Sequence, residues 1–163
     1  MEFTKYTQHT NDRLAKNGVL LISGKQQTNA MTIGWGFAGI MWGLPFFIAP
    51  VRPSRYTFEL LSKEDQFNIF VPKDDSFNKT LAYCGSKSGR NVDKFAELGL
   101  EKAPAKYNEL PIINAPGIHY ECKLHYIQAL NDTLPEALRK RWYPADSNLH
   151  TCFYGEILAC YET

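Results

Sequence analysis

The longest apolar-rich stretch, residues 33–51, carries no charged residue and constrains the fold more than any other segment. Its length and apolar content come close to those of a membrane-spanning helix. Glycine or proline interrupts it repeatedly, at Gly34, Gly36, Gly39, Gly43, Pro45 and Pro50. Because both residue types destabilise the interior of a helix, we predict two buried strands joined by a turn. The apolar run 46–49 forms the centre of the second strand.

The remaining apolar residues fall mostly into further short runs of strand type. Residues 19–23 and a run from about Asn29 to Gly34 flank a turn at residues 24–27, which predicts a hairpin. Further strands are predicted at residues 67–71, 118–129 and 151–161. About six strands that arrive largely as hairpins favour an antiparallel β-barrel with α insertions over an alternating parallel sheet. The expected fold class is therefore mainly β.

Helices are predicted between the strands where a capping residue precedes an apolar stripe. The last of these segments, residues 133–136, has the form of a capping box with proline in the first turn and leads into the basic residues 139–141. The predicted N-caps are Ser54, Asp74 or Asp75, Asn91 and Thr133, and the predicted helix stops are Gly85 and Gly99.

Length and charge limit what the chain can be. With 163 residues, it is long enough for one domain and short for two, so residues 1–163 are expected to form a single domain. The formal net charge of +1 gives no overall field that would attract nucleic acid or an anionic membrane, and neither partner is expected. The N-terminus lacks a basic start followed by an apolar run, and the four cysteines include no C-x-x-C pair. A cytoplasmic protein with reduced thiols is expected.

Two short cationic loops, residues 52–57 and 86–90, each lie beside a predicted helix. Both combine hydroxyl groups, backbone N–H groups and fixed positive charge, which is the chemistry that holds a phosphate. In the second loop, Gly89 would let the backbone approach a ligand. Alone, that loop is better explained as a polar turn, and the first fits a capped helix with solvent-exposed arginines as well as it fits a phosphate site. Their pairing favours a phosphorylated small molecule.

Residues 29–36 form a third segment with binding chemistry. Met31 and Trp35 would give apolar surface, and Asn29 and Thr32 would give directed hydrogen bonds, a mixture that suits a planar heteroaromatic ring. The alternative is a mostly buried strand with a glycine bend. As a binding wall, the segment suits a flavin better than a simple phosphate.

Other catalytic chemistries find no support in the sequence. Residues 34–36 lack the third glycine of a dinucleotide-binding fingerprint, and no G-x-S-x-G elbow is present. His119, Cys122 and His125 cannot converge on a metal from one regular strand, because Cys122 points to the opposite face. Cys84 is interpreted as a buried helix thiol rather than a reactive thiolate. No catalytic side chain and no metal ligand are therefore predicted.

Four segments, taken in order, resemble the flavin reductase-like FMN-binding split-barrel family in its flavoredoxin-like branch. They are Asn-Ala-Met-Thr-Ile-Gly-Trp-Gly at residues 29–36, Arg-Pro-Ser-Arg-Tyr-Thr at 52–57, Cys-Gly-Ser-Lys-Ser-Gly-Arg at 84–90 with Asp-Lys-Phe at 93–95, and His-Tyr-Glu-Cys-Lys at 119–123. The resemblance spans residues 19–161, and it is specific because the segments occur jointly and in the family's order.

The resemblance implies a homodimeric, antiparallel split β-barrel that binds FMN non-covalently near the dimer interface. Along the ring and ribityl chain it places Asn29, Ala30, Met31, Thr32 and Trp35. Around the phosphate and neighbouring polar groups it places Arg52, Arg55, Thr57, Ser86, Lys87, Ser88, Gly89 and Arg90. His119 lies in a matching motif and is included among the expected cofactor-binding residues.

The function that this resemblance implies is an FMN-dependent NAD(P)H oxidoreductase, a flavin reductase in which hydride passes from a nicotinamide to flavin. Two alternatives stay open. One is an electron carrier that holds FMN and is reduced by a protein partner. The other is a non-redox module that binds a different phosphorylated ligand. Residues 133–148 match the family least and receive no role.

Overall fold

The computed structural model describes residues 3–131, 133–144 and 148–163. Their main element is a seven-stranded antiparallel sheet in the order β2-β1-β5-β8-β9-β4-β3. Its strands are β1 Val19–Ser23, β2 Asn29–Ile33, β3 Phe37–Met41, β4 Leu44–Val51, β5 Gln66–Pro72, β8 Gly117–Ala129 and β9 Thr151–Glu162. Two short strands, β6 Lys102–Ala103 and β7 Ile112–Ile113, pair separately.

The sheet wraps around one apolar core without closing. A single buried cluster receives side chains from β1, β2, β4, β5, β8 and β9, among them Leu21, Phe47, Phe67, Tyr120 and Phe153. Strands β2 and β3 each have only one neighbour among the described strands, so the sheet has two free edges. A curved antiparallel sheet open between its edges is a split barrel, which confirms the predicted fold class.

A second buried cluster lies on the outer face of the sheet, under the helices. It contains Leu20 and Ile22 of β1, Phe70 of β5, and Leu81 and Phe95 of the covering helices. Alternate residues of β1 therefore enter different clusters, and all five residues of this strand are buried. Burial on both faces fixes β1 and, through its hairpin, the position of β2.

Both predicted hairpins form. In the first, Ser23 pairs with Asn29 and Val19 pairs with Ile33. In the second, Met41 pairs with Leu44, and the two turn residues, Trp42 and Gly43, have φ values of 52° and 75°. The prediction of two buried strands in residues 33–51 is correct for β4 and wrong for β3, whose side chains are partly or largely exposed because it is an edge strand.

The helices lie outside the sheet. They are α1 Thr7–Lys16, α2 Tyr56–Leu61, α3 Asn78–Ser86, α4 Lys94–Leu98 and α5 Glu136–Trp142, with 3-10 turns at Phe3–Tyr6 and Asp75–Phe77. Helix α1 was not predicted, and Thr10 in it shares a buried hydrogen bond of 2.8 Å with the Tyr120 hydroxyl. No helix among the described residues has the length and apolar character that crossing a membrane requires.

Two predicted helix boundaries are confirmed. The Asp74 carboxylate accepts a hydrogen bond from the Ser76 N–H and caps the 3-10 turn that leads directly into α3, and Gly99 ends α4 with a left-handed φ of 61°. The cap predicted at Asn91 is wrong, because the Asp93 carboxylate accepts from the N–H groups of Phe95 and Ala96 and starts α4 later. An anionic acceptor stabilises a helix N-terminus more than a neutral amide does.

Three further boundaries are also wrong. Arg55, not Ser54, occupies the N-cap position of α2, and the Ser54 hydroxyl instead accepts from the Asn148 amide. Helix α3 continues through Gly85 to Ser86, after which Lys87 is extended. The Thr133 hydroxyl donates to the Asn131 side chain, and Pro135 takes the N-cap position of α5. At Ser54 and Thr133, a hydrogen bond to another side chain replaces the predicted cap. At Gly85, the helix continues past the predicted stop.

Candidate functional site

Two contiguous cavities lie at the free edge of β2. The first, which we call the edge cavity, has a volume of about 280 Å³ and lies between the end of β2, the end of β4 and α5. The second, which we call the loop cavity, has a volume of about 180 Å³ and lies between β2, the start of α2 and the segment joining α3 to α4. Met31, Arg55 and Gly85 line both, so the two cavities adjoin.

The first residue of β2 ties the strand to both cationic loops. The Asn29 amide donates a 3.0 Å hydrogen bond to the Thr57 hydroxyl, and both side chains are buried. On the other side, a Cβ placed on Gly89 would lie 2.2 Å from the Asn29 side-chain oxygen and 2.9 Å from the Tyr56 ring. Only glycine fits this close approach. The sequence predicted a close approach of Gly89 to a ligand, whereas the contact seen here is with the Asn29 side chain.

Arg90 joins the two cationic loops to each other. Its guanidinium donates to the Ser54 carbonyl at 3.3 Å, lies 3.4 Å from the Glu59 carboxylate and stacks over the Tyr56 ring at 5.4 Å. The loops at residues 52–57 and 86–90, separated in sequence, therefore form the two sides of one cavity. This convergence is the arrangement that their pairing predicted.

The hydroxyl groups of the second loop are not equivalent. Ser86 donates its proton to the Tyr83 carbonyl at 3.1 Å, so this hydroxyl can only accept from a ligand. Ser88 accepts from the Arg90 N–H at 3.3 Å and keeps its own proton for a ligand. The exposed Lys87 ammonium forms no ion pair within the described ranges.

A buried lysine that the sequence interpretation did not assign lies behind the loop cavity. Lys94 is 3% exposed, and its Nζ donates to the carbonyls of Ala30 at 2.7 Å and Cys84 at 3.0 Å. Burial lowers the pKa of Lys94 and raises that of the Cys84 thiol, which is therefore no thiolate. Among residues 3–131, 133–144 and 148–163, no carboxylate forms an ion pair with Lys94. A buried ammonium without an acid partner is a reason to expect an anion in the cavity.

Aromatic side chains form the outer wall of the edge cavity. The Trp35 ring meets the Trp142 ring edge to face at 5.1 Å and lies 4.6 Å from the imidazole of His150. Thr32 also lines this cavity, and its hydroxyl donates to the Leu81 carbonyl at 2.6 Å. Trp142 and His150 were not predicted, because they join the site only through contacts across about a hundred residues of sequence.

Arg52 lies at the edge cavity and not at the loop cavity, where the phosphate was expected. Its guanidinium donates to the Trp142 carbonyl at 2.9 Å and covers the Tyr143 ring at 4.9 Å, which holds the end of α5 against the site. Arg55 faces both cavities. Burial, with the charges of Arg52 and Arg55, lowers the pKa of His150 to about 4.

Two of the predicted residues line neither cavity. Ala30 is fully buried and contributes only its carbonyl, which accepts from Lys94. His119 lies away from both cavities, between the rings of Phe70 and Tyr161, with Nε2 3.1 Å from the Thr163 hydroxyl. Its side chain is 1% exposed, and burial lowers its pKa to about 4. The structure therefore separates His119 from the other predicted residues.

The arrangement as a whole suits an anionic group joined to a planar ring. Cationic and hydroxyl groups surround the loop cavity, and apolar and aromatic groups surround much of the edge cavity. Among the described residues, no three His, Cys, Asp or Glu side chains are grouped so that they could hold a metal ion.

The chain belongs to the flavin reductase-like family, since residues 13–163 match the sequence model of the flavin reductase like domain. The fold is similar to that of the flavoredoxin of Desulfovibrio vulgaris (Miyazaki F), with a TM-score of 0.68 and 24% identity over 89% of this chain and 68% of that one. It is also similar to an FMN-binding protein from Thermus thermophilus, with a TM-score of 0.68 and 21% identity over 88% of this chain and 68% of that one.

A third similar structure is the NADH:FAD oxidoreductase of Streptomyces globisporus C-1027, with a TM-score of 0.67 and 16% identity over 89% of this chain and 74% of that one. A search of curated proteins by sequence gives no significant match.

Proposed function

We propose that the chain binds FMN across the two cavities and uses it for electron transfer. Membership of the flavin reductase-like family supports a flavin-binding redox function. The observation that carries the proposal is that a cationic cavity adjoins an aromatic-walled one, with Met31, Arg55 and Gly85 lining both. The similar protein from Thermus thermophilus is an FMN-binding protein, which supports this flavin in particular.

The loop cavity is suited to the phosphate. Lys87, Ser88 and Arg90 offer charge and a free hydroxyl proton at its mouth, and the buried Lys94 lies behind it. Gly89 also lines this cavity, where the close approach of Asn29 leaves no room for a side chain. The charge and the hydroxyl groups of the cavity suit a phosphate ester.

The edge cavity is suited to the flavin ring. Met31 and Trp35 would contact its apolar part, while Arg52 and Arg55 keep this end of the site positively charged. Bound FMN would supply hydride and single-electron chemistry. The protein's own contribution is to position the ring, to limit water around it and to stabilise the charge that a reduced ring carries.

Within this role we favour an NAD(P)H-dependent flavin reductase, which the family model and the similar NADH:FAD oxidoreductase support. The test is anaerobic: purified protein with FMN and excess NADH or NADPH should bleach the flavin absorbance near 450 nm at a rate proportional to protein. Flavin that stays oxidised with both nucleotides would remove the reductase assignment.

The second candidate is an electron carrier reduced by another protein, favoured by the similarity to a flavoredoxin. Tight FMN binding without nicotinamide oxidation in the same assay is the result that selects it. Protein that neither purifies with flavin nor quenches FMN fluorescence would instead indicate a module for another phosphorylated ligand.

We also propose that the chain forms a homodimer through an exposed apolar surface around the second hairpin. This surface, the hairpin patch, comprises Phe37, Ile40, Trp42, Leu44, Tyr126 and Ile127. Ile40 and Trp42 are 66% and 60% exposed, and Trp42 takes a left-handed φ that costs a non-glycine residue about 1 kcal/mol. Large apolar side chains kept exposed on a strained turn are expected at a protein interface.

Light scattering tests the dimer. Ile40→Glu should give a folded monomer, whereas Lys79→Glu, on the exposed face of α3, should leave the mass of wild type unchanged. A wild-type protein that is monomeric at micromolar concentration would contradict the proposal.

A further inference from the structure

Tyr143 and His150 form a hydrogen-bonded pair at the edge cavity. Tyr143 directly follows α5, His150 directly precedes β9, and the Tyr143 hydroxyl lies 2.6 Å from Nδ1 of His150. Tyr143 is 6% exposed, while the half-buried imidazole lines the cavity beside Trp35. Neither side chain has a part in the function proposed above.

Positive charges face this imidazole. Arg52, at the end of β4, covers the Tyr143 ring, and Arg55, at the start of α2, lines the same cavity. The neighbouring side chains from β2 and α5, Trp35 and Trp142, are uncharged. Burial and the two arginines disfavour a further positive charge, so that the imidazole is neutral at pH 7.

A neutral imidazole carries one N–H donor and one acceptor nitrogen. A phenol hydroxyl is the stronger acid of the two groups and the imidazole nitrogen the stronger base, so Tyr143 donates to Nδ1. The proton of the imidazole then lies on Nε2. Within the described ranges, no protein acceptor is hydrogen-bonded to Nε2, which leaves this N–H for a ligand.

We propose that His150, held in the Nε2–H tautomer by Tyr143, donates a neutral hydrogen bond to an acceptor atom of the flavin ring in the edge cavity. His150 would be a cofactor-contacting residue and Tyr143 a positioning residue. The inference rests on the proposed FMN binding. The N1 atom and the carbonyl oxygens of the ring gain electron density on reduction, whereas N5 gains a proton. A donor to N1 or to a carbonyl oxygen should therefore bind reduced FMN more tightly than oxidised FMN.

The tautomer can be tested without flavin. Long-range ¹H–¹⁵N NMR spectra of the labelled apoprotein at pH 7 should show His150, assigned by its loss in His150→Gln, as the neutral Nε2–H form. Tyr143→Phe should populate both neutral tautomers, because nothing then fixes the proton. A charged imidazole or an Nδ1–H tautomer in the wild type would overturn the proposal.

The contact with flavin is tested by anaerobic fluorescence titration with oxidised and with reduced FMN. His150→Phe should shift the ratio of the two dissociation constants by about fivefold against the reduced form, as expected for the loss of one hydrogen bond. His150→Gln, whose amide keeps a neutral N–H, should restore part of this preference. Tyr143→Phe should lie between wild type and His150→Phe.

The outcomes separate this inference from the function on which it depends. If wild type binds FMN and His150→Phe leaves the ratio unchanged, the hydrogen bond is wrong and the FMN site stands. An equal loss for both oxidation states in His150→Phe and His150→Gln also overturns it, because that result indicates packing alone. If wild type binds neither form, the FMN proposal itself fails.

Discussion

The loop cavity and the edge cavity differ in how their walls are encoded. The loop cavity is built mainly from two compact segments, residues 52–57 and 86–90, whose composition already indicates anion binding. The edge cavity is closed by Trp142 and His150, which approach Trp35 only when the end of α5 and the residue before β9 reach the segment that follows β2. The charged groups of the loop cavity can therefore be recognised in the sequence. The aromatic wall of the edge cavity, which would contact the ring, forms only when the chain folds.

The largest expected effect is on the loop cavity. Arg90→Glu reverses a charge beside the proposed phosphate position and removes the bridge between the loops, so FMN affinity should fall about a hundredfold. Riboflavin, which lacks the phosphate, should bind the variant within about twofold of wild type. Lys63→Glu, a charge reversal on the exposed partner of Glu59, is the matched control. Equal losses for FMN and riboflavin would mean that the two cavities are not separate in function.

Next in size is the effect of a change at the buried lysine behind the loop cavity. Lys94→Met leaves the carbonyls of Ala30 and Cys84 without their donor, which should lower the free energy of unfolding by about 1–3 kcal/mol. FMN affinity should fall by about tenfold, because the buried positive charge is lost. Urea unfolding and fluorescence titration measure the two effects, with Lys102→Met, which contacts Phe95 at the surface, as control. An FMN affinity equal to that of wild type would place the phosphate away from Lys94.

The smallest expected effect on binding is at His119, which the family resemblance included and the structure places elsewhere. The unfolded chain binds a proton near pH 6.5, whereas the folded chain, with a His119 pKa of about 4, does not. Stability should therefore fall as pH decreases from about 6.5 to about 4, by at most about 3 kcal/mol for this group. His119→Gln should reduce that loss and leave FMN affinity at pH 7 unchanged.

Urea unfolding at pH 7, 5.5 and 4.5 measures the acid sensitivity. His150 also has a pKa lowered to about 4, so the double variant His119→Gln/His150→Gln should be less sensitive than either single one. A His119 variant with weakened FMN binding would show that the family motif was the better guide to this residue than its packing.

The strands were predictable because their apolar runs are short and bounded by glycine and proline. The helix caps were less predictable, because neighbouring residues can take the same capping position. Asp93 caps α4 in place of Asn91, and the Ser54 hydroxyl bonds to Asn148 instead of capping α2. Such choices depend on groups that become neighbours only in the folded chain.

Some residues of the site could likewise be predicted from the sequence, and others could not. Gly89 and Arg90 could be assigned from the composition of one loop, and the structure brings them to the loop cavity. Lys94 belongs to a segment that resembles the family but received no role from the sequence, and only its burial against Ala30 and Cys84 indicates one. The Ser86 hydroxyl donates its proton to the Tyr83 carbonyl, and this hydrogen bond likewise depends on where α3 ends.

The lysine behind the loop cavity has a consequence for solubility. Among the described strands, β2 has only β1 beside it, and its Ala30 carbonyl accepts a hydrogen bond from Lys94. A free strand edge is a template on which a second chain can add its own strand, and an ammonium group held there opposes such addition. Loss of Lys94 should therefore appear in storage as aggregation between copies, before any change in the fold of a single copy is detected.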